Sequence, residues 1–169
     1  MRQQGVTLIQ LLFAAALLGL LTQIGAPAYN AMSTGLQRQA AAKDLAQALR
    51  TTRSEALLRN SVVRLQALDA DWSNGWRMIV EQDMQLLQEW RRNGRTIIVA
   101  NRPVARQVRF SGLGVPLLES GAFQAGTLHV CQRPEALSHY QVVLSRSGRV
   151  SLRDTLSHLP LCAAGGSDQ

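Results

Sequence analysis

Gly5-Val6-Thr7-Leu8-Ile9-Gln10-Leu11-Leu12-Phe13-Ala14-Ala15-Ala16-Leu17-Leu18-Gly19-Leu20-Leu21-Thr22-Gln23-Ile24-Gly25-Ala26-Pro27 is the stretch on which the fold turns. From Val6 to Ala26 no side chain is charged, and only Thr7, Gln10, Thr22 and Gln23 are clearly polar. A run of this length suits one helix through a hydrocarbon layer about 30 Å thick. With Arg2 ahead of it, the start has the look of a secretory signal. A signal's apolar region, however, is about 7 to 15 residues long and closes at a small-x-small site. Here the run continues to Ala26 and passes through Tyr29 into a polar, helix-forming stretch. Arg2 is the only charge before the run, which places that end on the cytoplasmic side.

Beyond Asn30 the pattern becomes amphipathic. Leu36, Ala40, Leu45, Leu49, Thr52 and Ala56 recur at three- and four-residue spacing, while Arg38, Lys43, Arg50, Arg53 and Arg59 fall on the other side. The spacing predicts that the apolar helix continues to about residue 60, kinked at Pro27 and loosened at Gly35. A helix apolar on one side needs a surface to lie on. Alternating segments supply it: strands are expected over 61–68, 76–81, 84–91, 96–100, 107–110, 127–131, 141–145 and 150–153. Asn74-Gly75 and Asn93-Gly94 read as hairpin turns, and Gly112, Gly114, Pro116, Gly121 and Gly126 mark a long loop. One long helix packed on antiparallel sheet is an α+β plan.

The 169 residues fit a single core plus an appendage, and 46% apolar composition excludes a disordered chain. Of 18 basic residues 17 are Arg, which favours bidentate contacts to anions. The charge is uneven: net +1 up to Trp90 and net +6 from Arg91 onward. The C-terminal half is therefore either an anion-binding surface or simply a well-solvated one. Cys131 and Cys162 pair if that half occupies an oxidising compartment, and remain buried thiols otherwise. An enzyme needs convergent reactive groups. His129, His139 and His158 have none of the short spacings of zinc ligands, Gly112-Leu113-Gly114 lacks the rest of a phosphate-binding loop, and no Gly-x-Ser-x-Gly elbow occurs. The expected protein is not an enzyme and needs no cofactor or metal.

Gly5-Val6-Thr7-Leu8-Ile9-Gln10-Leu11-Leu12 resembles the class III leader of type IV pilins and type II secretion pseudopilins. That resemblance implies cleavage after Gly5 by a prepilin peptidase and N-methylation of Val6, with Pro27 matching the family's helix-kinking proline. The family prefers Phe after the glycine and has Glu five residues beyond the cut, where this chain has Val6 and Gln10. In the family that glutamate meets a neighbouring subunit's terminal ammonium in an apolar filament core. Gln10 accepts a hydrogen bond there but cannot neutralise a charge, so the ion pair is lost. A subunit at a filament tip tolerates the loss better than one stacked repeatedly.

Three later segments narrow the resemblance: Arg53-Ser54-Glu55-Ala56-Leu57-Leu58-Arg59-Asn60, Trp72-Ser73-Asn74-Gly75-Trp76 and Ser147-Gly148-Arg149-Val150. In this order they look like the soluble domain of the FimT, FimU and GspH group of minor pilins and pseudopilins. Trp72 and Trp76 are read as core packing beside a turn. The resemblance implies a type IV pilin-like fold, and hence this organisation: leader 1–5, transmembrane and filament-core helix 6–29, and periplasmic head 30–169. Within the head it places a helix over 30–60, a β-rich part over 61–162 and a flexible tail over 163–169. It implies an inner-membrane minor pilin needed for pilus assembly, or alternatively a GspH-like pseudopilin of a secretion system. Its partners would be other minor and major pilins, the prepilin peptidase and the inner-membrane assembly platform. FimT-like pilins of competent bacteria are associated with DNA binding through a Gly-Arg-x-Arg motif. Gly148 and Arg149 match its first half, Ser151 stands at the second arginine, and Arg153 returns the charge two residues on. In an extended strand Arg149 and Arg153 share a face, about 13 Å apart. Arg146 and, if the cysteines pair, Arg133 would join them in a patch that reads phosphates without regard to sequence.

Overall fold

The computed structural model describes residues 8–93, 96–132 and 136–163, the side chain of Ile24 excepted. Gly5, Val6 and the rest of the expected leader, Arg133, Gly94 and residues 164–169 of the expected tail lie outside the described residues. Helix α1 runs from Leu8 to Arg59 with Pro27 inside it. The proline ring removes one backbone hydrogen bond from the ladder, and the helix continues past it. The chain forms two compact units, Met1–Gln37 and Arg38–Gln169.

In the described part of the first unit, α1 is exposed over its apolar length, with Leu8, Ile9, Leu11, Leu12, Phe13, Leu17, Leu18, Leu20 and Leu21 between 46% and 76% accessible. It is the one described helix long and apolar enough to cross a membrane.

The second unit has a closed core. The face that α1 buries is Ala41, Ala42, Leu45, Ala46, Ala48, Leu49, Thr52 and Ala56. Leu45, Leu49, Thr52 and Ala56 were expected there, but Leu36 and Ala40 are exposed. Four alanines take the buried positions instead. A pattern weighted by large apolar residues does not distinguish an alanine that faces a sheet from one that faces water, yet alanines bring a helix backbone closest to its support. The helix closes on Asn60, which adopts the left-handed conformation (φ 45). Ser61 N–H then donates back to the Ala56 carbonyl at 3.2 Å and Asn60 N–H to that of Leu57 at 3.3 Å. This is the Schellman ending of a helix.

Two antiparallel sheets share the core. The first has the order β3-β2-β1-β5, from β1 (Val63–Ala67), β2 (Gly75–Val80), β3 (Leu86–Arg91) and β5 (Gln107–Phe110). The second has the order β4-β6-β7-β8, from β4 (Ile97–Ala100), β6 (Gly126–Gln132), β7 (Leu137–Leu144) and β8 (Val150–Arg153), with β9 (Ser157–His158) pairing β7. Val63, Leu65, Trp76, Met78, Val108 and Phe110 of the first sheet join Ile98, Leu128, Val130, Val142, Leu144 and Val150 of the second and the alanine face of α1 in one cluster.

Asn74-Gly75 does not make a hairpin turn. Two short 3-10 turns, Leu68–Ala70 and Trp72–Asn74, join β1 to β2, and Gly75 opens the strand at φ 123. Its glycine identity answers a close approach: a Cβ there would collide with the Trp90 carbonyl of β3. Trp72 and Trp76 are both 1% exposed, and Trp72 donates from Nε1 to the carbonyls of Val104 (3.1 Å) and Ala105 (2.9 Å). Buried Gln124 ties the long loop down, donating to the Gln107 carbonyl at 2.8 Å and accepting from Arg109 N–H at 3.0 Å.

Candidate functional site: a clamped cationic hairpin

β7 and β8 pair with Leu144 opposite Val150 and Gln141 opposite Arg153. Between them Gly148 N–H donates to the Ser145 carbonyl, and Ser145 N–H donates to that of Arg149, both at 3.0 Å. Gly148 sits at φ 80, the left-handed slot that a three-residue hairpin loop reserves for glycine. The Ser145 hydroxyl accepts from Arg149 N–H at 3.0 Å, so the turn is held by side chain as well as backbone.

The turn is also clamped from α1. Arg53 donates from Nε to the Gly114 carbonyl at 2.9 Å and from Nη2 to the Ser147 carbonyl at 3.3 Å. One turn earlier, Arg50 donates to the Val150 carbonyl at 3.3 Å. Gly114 (φ 70) and Gly148 lie so close that a Cβ on Gly148 would collide with the Gly114 carbonyl oxygen. The sequence pattern puts Arg50 and Arg53 on the side of the helix opposite its apolar stripe. Their spacing of three residues was visible, but the carbonyls they reach lie 100, 61 and 94 residues away.

Val150 and Leu152 turn toward the core, so Arg149, Ser151 and Arg153 share the opposite face of β8. Arg146, Arg149 and Arg153 are exposed and form no ion pair among the described residues. The hairpin thus brings Arg146, Gly148, Arg149 and Arg153 together, whereas Gln10 and Pro27 belong to the other unit. Guanidinium groups on one strand face can hold phosphate or carboxylate oxygens in bidentate pairs.

Beside β8, residues 154–163 fold back along β7 and over the outer face of the second sheet. Thr155 accepts from buried Gln141 Nε2 at 2.7 Å, β9 pairs with the start of β7, and helix α2 (Pro160–Ala163) carries Cys162 to Cys131. The two cysteines form a disulfide with Cα atoms 5.5 Å apart, packed with Val99, Ile97, Ala136 and Leu159. The Ser138 hydroxyl and His129 Nδ1 lie 3.1 Å apart, and burial lowers the His129 pKa below its ordinary value.

Two cations elsewhere are engaged. Arg109 forks onto Glu81 at 2.5 and 2.6 Å; this hydrogen bonding lowers the Glu81 pKa and raises that of Arg109. Arg92 lies 5.9 Å over the Trp76 ring and 3.5 Å from Asp44, and its burial lowers its pKa.

A family model described as Type II transport protein GspH matches residues 41–148, from the alanine face of α1 to the glycine of the hairpin. Among solved structures, a crystal structure of the type IV minor pilin FimU of Pseudomonas aeruginosa is 20% identical with a TM-score of 0.61, covering 79% of this chain and 99% of that one. A second crystal form of FimU is 22% identical with a TM-score of 0.54, covering 75% and 99%. These likenesses establish a shared type IV pilin fold. No curated protein matches the sequence.

Proposed function

The chain belongs to the GspH family of minor pilins and pseudopilins, and on that premise we propose that it is a minor pilin of a type IV pilus. In this reading it is held in the bacterial inner membrane with its head in the periplasm, trimmed after Gly5 by the prepilin peptidase and methylated on Val6. It is then incorporated near the pilus tip, where it helps to prime assembly. One observation carries the proposal: α1 leaves its apolar residues from Leu8 to Leu21 uncovered, while the head closes its own core. Surface of that kind requires lipid or sister helices, and passing from one to the other exchanges one apolar environment for another. The inner-membrane assembly platform and its motor supply the work. Gln10, with no charge to offer the next subunit, suits a position beyond which little is stacked.

Immunoblots of sheared surface fibres should detect the chain without its first five residues. Intact Met1–Gly5 in cells that hold the peptidase, or absence from both fibres and their initiating complex, overturns the proposal.

The description of the matching family supports a second reading, a minor pseudopilin of a type II secretion system. Deletion separates the two: loss of surface pili and twitching favours the pilus, and loss of exoprotein export favours the secretion system. Under either reading the exposed arginines of the hairpin suit non-specific attachment to DNA, with Arg149 and Arg153 on one strand face and Arg146 at the turn.

A further inference from the structure

The end of α1 and the clamped hairpin carry a surface that membrane anchoring and filament-core packing leave unused. Leu57, Leu58 and Leu113 are 48%, 81% and 79% exposed. Leu57 lies 3.1 Å from where a Gly114 side chain would begin, and Leu58 and Leu113 are the chain neighbours of those two residues, so all three belong to the same corner of the head. Gly114 in turn touches Gly148, which Arg146 and Arg149 flank. The result is three uncovered leucines beside two guanidinium groups without ion-pair partners among the described residues.

We infer that this surface docks the head of a neighbouring pilin subunit, through an apolar contact rimmed by the neighbour's carboxylates. The inference rests on the pilin reading above. An apolar centre with a polar rim is the anatomy of a protein interface. The base is preorganised, since Arg53 locks Gly114 and Ser147 in place, so docking orders little that was free. Charge selects the partner: the chain carries net +6 from Arg91 onward, so an equally cationic head is repelled and an acidic one is drawn in. A nucleic acid satisfies the arginines through its phosphates but leaves the three leucines uncovered, because a polyanionic backbone offers them no apolar contact. A lipid surface satisfies both groups without selecting for charge pattern, and the experiment separates it from a protein partner.

The test uses the full chain in its own cells, with a photo-crosslinking benzoylphenylalanine placed at Leu113 or, separately, at Phe13 in the apolar half of α1. The expected result at Leu113 is an adduct that mass spectrometry identifies as another leader-bearing pilin, attached near its acidic residues. Arg146→Glu combined with Arg149→Glu should lower its yield about tenfold or more, while Lys at both positions retains it. Leu58→Asp should lower it similarly. Adducts with pilins at Phe13 but none at Leu113 overturn the inference and leave the pilin reading standing. Adducts with pilins at neither position overturn both. Capture of phospholipid or DNA alone at Leu113, or a pilin adduct indifferent to charge reversal, also overturns the inference.

Discussion

Arg53 in the helix donates to the carbonyl oxygen of Gly114, 61 residues away, at 2.9 Å. Through that bond the long loop, the hairpin and α1 become one rigid corner. Arg53→Met keeps most of the side chain's length and removes the donors. The expected loss is about 1.5–3 kcal/mol, the usual cost of hydrogen bonds to a charged group. Urea unfolding of the detergent-solubilised chain, followed by tryptophan fluorescence, measures it; an unchanged midpoint would show that the corner holds without the arginine.

Glycine at 148 has two reasons to be glycine, and they can be separated. Gly148→Ala incurs about 1–2 kcal/mol for a left-handed alanine and, beyond that, a collision with the Gly114 carbonyl. Gly121 has a similar φ of 84 with open space around its Cβ position. Gly121→Ala should therefore show the conformational cost alone, about 1–2 kcal/mol, and Gly148→Ala a clearly larger drop in midpoint.

The disulfide holds residues 154–163 across the outer face of the second sheet. Cys131→Ser with Cys162→Ser should destabilise by about 3–4 kcal/mol on the chain-entropy estimate for a loop of this span. Hydrogen exchange should accelerate most in residues 154–163 and at the start of β7, where β9 pairs. Uniform acceleration across both sheets would contradict a local clasp.

If the hairpin holds DNA, the purified chain binds without sequence preference and weakens steeply with salt. Arg149→Ala with Arg153→Ala removes two phosphate contacts, so the slope of log K against log salt should flatten by about 1.4 for single strands or 1.8 for duplex. No retention on DNA at low salt ends that role.

Acid should weaken the head in two steps. Burial lowers the folded pKa of His129, so below an ordinary histidine value of about 6.5 the unfolded chain takes up a proton that the fold resists. The fork from Arg109 lowers the pKa of Glu81. Its stabilising contribution is present above about 4.3 and is lost as pH falls toward the folded value. Midpoints should decline first below pH 6.5 and again below pH 4.3. His129→Gln should abolish the first decline and Arg109→Met the second.

Where a strand has one face to bury, alternation located it: β5 and β8 occupy the expected residues, because Val108 and Phe110, or Val150 and Leu152, point inward. β7 begins four residues before its expected start at Gln141. Its opening, Leu137-Ser138-His139-Tyr140, buries a serine, and a register shift between Val130 and Cys131 interrupts the pairing opposite. Alternation is blind to both. Buried Gln124 and Gln141 escaped for a related reason: each has partners 14 to 21 residues away, and a polar letter does not reveal that a fold will satisfy it. The hairpin arginines were legible because they stand on a strand end beside a glycine turn. Arg50 and Arg53 were not, since a basic residue on a helix is ordinarily a solvated one.

The alanine face of α1 has a mechanical meaning. A filament that is pulled transmits tension along its subunits, and tension entering the head at Arg38 would drag the helix lengthwise across the sheets it lies on. The alanines seat the helix deeply, so resistance to sliding falls on the two leucines that interlock with the core, Leu45 and Leu49, and on the lateral pins, Arg50 at Val150 and Arg53 at Gly114 and Ser147. These pins sit far along the helix from Arg38, so load reaches the buried leucines before it reaches either of them.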